Sequence, residues 1–260
     1  MAGRETFETV AGCKTRVMRG GGKGEPLIFL HGASGASQWI PFMDKLAEQF
    51  DVFVPEHPGF GGSDTPDWLD NVGDLAYFYL DFMDQLGLSG VHLVGTSMGG
   101  WLASEIAVRN QTALASLTLV APVGIRLKGV RKADIFLLSP EETVRHLFHD
   151  PKLVEMALSR TPSEEELDIA AKNRLIMAKL AWEPRLFNPH LHKWLHRITV
   201  PTQIVWGEND RIVPAAYGPE FQRLIPGSKL EIIPECGHVP HTEKADVLAA
   251  KIISHAKASA

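Results

Sequence analysis

The chain has little cysteine. Among its 260 residues only Cys13 and Cys236 carry a thiol. Two cysteines so far apart form neither a disulfide framework nor a zinc-ligand spacing, and a reduced setting is expected. Long hydrophobic runs are also missing. None reaches the roughly 20 residues that cross a bilayer. The opening stretch "MAGRETFETVAGCKTRVMRG" is polar, broken by glycine and lacks the apolar segment of a secretory signal. A cytoplasmic location with no membrane partner follows as an expectation. Positive charge is in deficit. Lys and Arg total 26 against 31 Asp and Glu, a net charge of −5, so a nucleic-acid partner gains no electrostatic support. No internal repeat or low-complexity tract appears, and "GGGKG" (20–24) is not a phosphate loop, because no helix follows it. What remains is an ordinary globular composition, 45% hydrophobic, at a length that buries a substantial core.

The apolar pattern alternates along the chain. "TFETV" and "KTRVMRG", separated by "AGC", read as a hairpin. "PLIFLHG", "DVFVPEHPG", "VHLVGTS" and "LASLTLVAP" are short apolar runs and read as buried strands. Between them "ASQWIPFMDKLAEQF", "NVGDLAYFYLDFMDQLGL" and "GGWLASEIAVRN" carry helical spacing. Such alternation predicts an α/β fold with a mostly parallel sheet, an N-terminal hairpin and helices on both faces. From Gly124 to Arg197 the strands stop. Three helix-start signatures appear instead, in "SPEETVRHLFHD", "DPKLVEMALSR" and "TPSEEELDIAAKNRLIMAKLAW". The alternation resumes with "TQIVWGEND" and ends in a helix. The division expected is a core over 1–123 and 198–260, with a helical insertion at 124–197.

One strand tip holds a serine. In "GTSMG" a strand leads in, a helix leads out, and Gly95 and Gly99 flank Ser97 at two residues on either side. A turn this tight leaves no room for side chains at 95 and 99, and it forces the serine into a strained conformation with its hydroxyl clear of the sheet. The helix N-terminus behind it offers unpaired N–H groups to a developing oxyanion. A serine nucleophile needs a base. His238, in "PECGHVPH", and Asp210, in "WGENDRIVP", both follow strands and fall at the same carboxyl edge as Ser97.

These pieces, "HGASGASQW", "PGFGGSD", "GTSMGG", "GENDRIVP" and "GHVPHTEKAD", resemble the α/β-hydrolase superfamily over nearly the whole chain. The resemblance implies Ser97 as nucleophile, Asp210 as the acid that orients the imidazole and His238 as base. It places the oxyanion N–H donors at Met98 and Ala33. It makes 124–197 a cap between the sixth and seventh strands, over the open mouth above Ser97. Trp39, Trp101, Ser34 and Val239 are the candidate substrate-binding residues, with Trp39 and Trp101 as the floor. Cap residues Ile135, Phe136, Leu137, Leu138, Leu147, Phe148, Leu175, Ile176 and Met177 are expected to cover the mouth.

The implied activity is hydrolysis of carboxylic esters of small to medium acyl substrates through an acyl-enzyme, with no cofactor and no metal. Carbon–carbon hydrolases of ring-fission products share this set of three residues. They usually carry tryptophan after the histidine, where this chain has Val239. A ligand receptor on the same fold is the third alternative. Among competing residues, Glu208 reads as a solvated neighbour of Asp210 and Cys236 as a buried thiol. His31 is expected to structure the oxyanion loop, and His57 to pack. His192 and His196, in "HLHKWLH", read as one face of an amphipathic helix rather than a metal site.

Overall fold

The computed structural model describes residues 3–259. Eight strands form one sheet: β1 (Arg4–Val10), β2 (Cys13–Gly20), β3 (Pro26–Leu30), β4 (Asp51–Pro55), β5 (Val91–Thr96), β6 (Leu114–Val120), β7 (Thr202–Gly207) and β8 (Lys229–Ile233). Their order is β1-β2-β4-β3-β5-β6-β7-β8. β1 pairs antiparallel with β2 as the expected hairpin, and β2 pairs antiparallel with β4. Every other pair is parallel. The carboxyl ends of β3, β5, β6, β7 and β8 therefore lie along one edge.

Period-2 alternation feeds two cores. On one face Ile28, Leu30, Leu93, Leu117, Leu119, Ile204 and Trp206 pack with α2 (Val72–Gln85), α3 (Met98–Arg109) and α7 (Tyr217–Leu224). On the other, Leu27, Phe29, Val52, Val94, Val120 and Val205 pack with α1 (Pro41–Ala47) and α9 (Ala245–Lys257). Strands buried on both faces read as unbroken apolar runs, as these do. Between β6 and β7 lie α4 (Pro140–Leu147), α5 (Pro151–Ser159) and α6 (Glu164–Ala181). Each starts at a side-chain cap, Ser139, Asp150 and Ser163 respectively, because an oxygen there accepts an N–H that the helix cannot satisfy. These helices roof the carboxyl edge.

The structure departs from the sequence pattern in three places. α1 begins only at Pro41, which sits at the first helical turn and lacks the N–H to continue backwards. A four-residue helix, α8 (Pro240–Glu243), follows the last strand, too short to show a period. The stretch read as an amphipathic helix at 190–196 is two 3-10 turns, Leu191–Lys193 and Leu195–Arg197, so His192 and His196 do not share an α-helical face.

The edge is crowded where β5 turns into α3. A Cβ on Gly99 would stand 2.1 Å from the Leu30 carbonyl oxygen, and one on Gly95 would stand 2.2 Å from that of Gly99. We expect Gly99→Ala to destabilise the protein by about 2–3 kcal/mol through overpacking against backbone. The urea midpoint measures this, and an unchanged midpoint would mean that the turn can open.

Candidate active site

The turn crowded by these glycines holds Ser97 at φ 53 and ψ −113. A non-glycine residue with positive φ stores strain, and such strain persists only where its surroundings over-determine it. Here the Ser97 carbonyl accepts from the N–H groups of Gly100 at 3.1 Å, Trp101 at 3.1 Å and Val123 at 3.2 Å, while its own N–H donates to Val120 at 2.9 Å. With the backbone held from both sides, the half-buried hydroxyl is left to the cavity. It makes no hydrogen bond among the described residues.

Asp210 and His238 arrive on two loops that cross at glycine. A Cβ on Gly207 would stand 2.1 Å from the Gly237 carbonyl oxygen. Glu208 N–H donates to Ile233 at 2.9 Å and Asn209 N–H to Cys236 at 2.9 Å, which fixes one loop against the other. Asp210 Oδ1 accepts from Ile212 N–H at 2.9 Å and Val213 N–H at 2.8 Å. Its other oxygen, Oδ2, lies 2.7 Å from His238 Nδ1. A carboxylate only accepts, so Nδ1 carries a proton, which in the neutral ring leaves the lone pair on Nε2. Both side chains are buried. Glu208 is exposed. Cys236 is buried, and burial pushes its thiol up to about 12, so it stays protonated at neutral pH.

The loop after β3 presents the second N–H. The Gly32 carbonyl accepts from Gly35 N–H at 3.1 Å and lies 2.7 Å from His31 Nδ1. In a planar trans peptide the N–H points opposite to the carbonyl. The Ala33 N–H is thereby turned away from this cluster. Neither it nor the Met98 N–H has a hydrogen-bond partner among the described residues. His31 Nε2 accepts from His57 N–H at 3.0 Å, so His31 is neutral with its proton on Nδ1. His57 donates from Nε2 to the His31 carbonyl at 3.0 Å and accepts at Nδ1 from the Tyr79 hydroxyl at 2.6 Å. The two ring centroids lie 3.7 Å apart, with the planes tilted by 30°. Burial lowers His31 to about 4, and burial with the neighbouring His31 lowers His57 well below the usual imidazole range. The expected roles, loop support for His31 and packing for His57, agree with these contacts.

Ser97, Met98, Ala33, Ser34, His238 and Val239 all line one cavity of about 450 Å³. Its walls are mostly apolar, with Phe29, Ile40 and Met43 from the core and Ile135, Phe136, Leu147 and Met177 from the roof. Trp39 and Trp101 do not line it, contrary to expectation. The Trp39 ring packs against Gly20 in β2 and its Nε1 donates to Asp44 at 2.9 Å. The Trp101 ring lies under Gly124 and its Nε1 donates to Glu105 at 2.9 Å. Of the expected cap residues, Leu138, Phe148 and Ile176 do not line it either, and Leu137 and Leu175 are 75% and 72% exposed. On α6 the cavity takes 170, 173, 174 and 177, a 3.6-residue period that leaves 175 on the far side.

Three polar residues at the site escaped the sequence pattern. Glu243 accepts from Gly237 N–H at 2.5 Å, His149 N–H at 2.9 Å and Asp150 N–H at 2.6 Å, tying the histidine loop to the roof. The exposed Arg174 lines the cavity and Asn173 faces it from the roof.

A family model described as "Alpha/beta hydrolase family" matches residues 27–251. The chain belongs to the alpha/beta hydrolase family. Among its hydrolase and acyl-transfer relatives, a "2-hydroxy-6-oxononadienedioate/2-hydroxy-6-oxononatrienedioate hydrolase" of Klebsiella pneumoniae subsp. pneumoniae is 31% identical over 87% of this chain and 85% of its own. The "dihydrolipoyllysine-residue acetyltransferase component of acetoin cleaving system" of Cupriavidus necator is 30% identical over 96% of this chain and 68% of its own. An esterase of Rhodococcus sp. ECU1013 superposes with a TM-score of 0.79 at 19% identity, with all of both chains covered, a likeness of fold. Among the described residues no helix of this alpha/beta hydrolase is long and apolar enough to cross a membrane.

The buried His31 makes stability depend on pH. An unfolded histidine takes a proton near 6.5, while folded His31 resists until about 4. Protonation below 6.5 therefore favours the unfolded chain. The contribution is whole above pH 6.5 and is lost as pH falls, by about 3 kcal/mol at pH 4. Urea midpoints compared at pH 7 and 4.5 should show most of that loss, and equal midpoints would mean that His31 is not held neutral.

Proposed function

We propose that this alpha/beta hydrolase cleaves carboxylic esters of small to medium acyl substrates through an acyl-enzyme on Ser97. The observation that carries this is the convergence in one cavity of a strained serine, a buried His238–Asp210 pair and two unpartnered backbone N–H groups. His238 Nε2 takes the proton of the Ser97 hydroxyl as the oxygen attacks the acyl carbon. The carbonyl oxygen, now negative, is held by the N–H groups of Met98 and Ala33. The alcohol leaves with the proton from His238, and water enters by the same route in reverse. Each donor to the oxyanion is worth about 3–4 kcal/mol in related sites. Bonds between nucleophile and base are commonly long in ligand-free sites and tighten with substrate, in keeping with the unbonded Ser97 hydroxyl. Residues 124–197 act as the cap, with Ser34 and Val239 in contact with the substrate. No cofactor or metal takes part.

A second proposal, carbon–carbon bond hydrolysis of a vinylogous diketone, has one observation in its favour. The Arg174 guanidinium lines the cavity, donates from Nη2 to the carbonyls of Phe136 at 2.7 Å and Leu138 at 3.3 Å, and pairs with no carboxylate among the described residues. An unpaired cation suits an acidic substrate, and the Klebsiella relative is named for a dienedioate. Val239 in place of tryptophan stands against it.

Ser97→Ala and His238→Ala should each lower kcat on p-nitrophenyl butyrate by roughly 10⁴-fold or more, with Asp210→Asn retaining a residue and the double variants no worse than the singles. Wild-type kcat in Ser97→Ala would overturn the mechanism. Turnover of a 2-hydroxy-6-oxo-dienoate far above that of the ester would favour the second proposal. Labelling by a phosphonate without turnover of either would favour a receptor.

A further inference from the structure

The roof meets the loop after β3 through one amide. Asn173 lies on the cavity side of α6 and is 2% exposed. Its Nδ2 donates to the Ser34 carbonyl at 2.8 Å, and its Oδ1 accepts from Gly61 N–H at 2.9 Å. A buried amide has both donors and acceptors to satisfy, and here the two ends go to two different core loops.

The Ser34 end bears on the proposed chemistry. Residues 32–35 form a turn closed by Gly35 N–H on the Gly32 carbonyl. Gly35 sits at φ +87, and a Cβ there would stand 2.5 Å from Asn173 Nδ2. The turn is thus held from the core by His31 on the Gly32 carbonyl and from the roof by Asn173 on the Ser34 carbonyl. Ala33, with its free N–H, lies between these two anchor points. A shift of the turn would move that N–H away from the oxygen it serves, and such donors act only when pre-aimed.

The Gly61 end is duplicated. Lys172, the preceding residue, donates from Nζ to the carbonyls of Gly61 at 2.7 Å and Ser63 at 2.8 Å. The loop at 59–63 is therefore fastened to α6 twice. The Ser34 carbonyl is fastened by Asn173 alone among the described residues.

From this we infer that Asn173 is a positioning residue: through the Ser34 carbonyl it sets the Gly32–Gly35 turn, and so makes the oxyanion N–H of Ala33 dependent on a docked roof. The inference rests on the acyl-enzyme reading of Ser97. An amide is required, because aspartate keeps the acceptor for Gly61 but turns a second oxygen on Ser34.

The test is Asn173→Asp, with turnover of p-nitrophenyl butyrate normalised to active sites titrated by diethyl p-nitrophenyl phosphate, so that unfolded molecules do not count. We expect kcat per site to fall about 10- to 100-fold with KM within twofold, as a displaced donor costs part of the 10²–10³-fold of a lost one. Affinity for a trifluoromethyl ketone, which forms an oxyanion on the serine, should fall in parallel with kcat/KM, while affinity for butyramide stays level. Lys172→Met should keep kcat per site, since it loosens only the 59–63 loop. Unchanged kcat in Asn173→Asp, a rise in KM alone, or an equal loss in Lys172→Met would each overturn the inference. Asn173→Ser is read by the same criteria if the aspartate variant does not fold. Activity surviving in Ser97→Ala would remove the acyl-enzyme reading itself, whereas an inactive Ser97→Ala beside a fully active Asn173→Asp would remove only the role of Asn173.

Discussion

At the carboxyl edge of the sheet a methyl group on Gly99 would stand 2.1 Å from the Leu30 carbonyl oxygen, and one on Gly207 would stand 2.1 Å from that of Gly237. Backbone meets backbone at both places with nothing between. The first contact packs the start of α3 onto the end of β3, which brings Met98 and Ala33 to the same cavity wall. The second lays the loop after β7 on the loop after β8, which brings Asp210 within 2.7 Å of His238. The strain at Ser97 follows from the first, and the burial of the carboxylate from the second. Moving either crossing outward by the width of one methyl would separate groups that the proposed chemistry needs within hydrogen-bond reach.

Neutral histidine supports this edge from below. His31 and His57 lie against each other and serve as fixed dipoles, each giving one proton and taking one. Charge on either ring would remove an acceptor in use, that of His31 for the His57 N–H or that of His57 for the Tyr79 hydroxyl. Burial holds them uncharged, so the geometry of the Gly32 carbonyl does not vary with pH across the neutral range. Tyr79, from α2, ends the chain of bonds with its hydroxyl. The turn that presents Ala33 is thereby anchored in one of the two hydrophobic cores.

Much of this was legible in the sequence, and for a physical reason. Strands buried on both faces must be apolar runs, so β3 to β7 announce themselves. Glycines that prevent clashes stand at fixed offsets, so the position of Ser97 is marked. Asp210 and His238 are found because strand ends share an edge. The direction of a loop side chain has no such signature. Trp39 and Trp101 are large and near the site in sequence, yet their rings turn toward β2 and Gly124. Leu175 is apolar and sits in a roof helix, yet a two-residue offset from Asn173 puts it in solvent. Asn173 and Glu243 are invisible to any local pattern. The partners of Asn173 lie 112 and 139 positions away, and those of Glu243 in the roof 93 and 94. Only the folded chain pairs them.

The roof is inserted at one point of the chain but fastened at several points of the floor. Leu147 accepts from His238 N–H at 2.8 Å, Glu243 clasps the α4–α5 junction, and Asn173 and Lys172 grip two loops from α6. Insertions are usually treated as interchangeable parts, free to be exchanged between scaffolds at their two ends. This one resembles a keystone. A foreign roof spliced in at the same two joints would arrive without the matching amide, ammonium and carbonyl, and would leave core N–H and carbonyl groups unpaired. Moving this roof to another hydrolase would therefore mean moving the floor loops at 32–35, 59–63 and 237–243 along with it, as one unit.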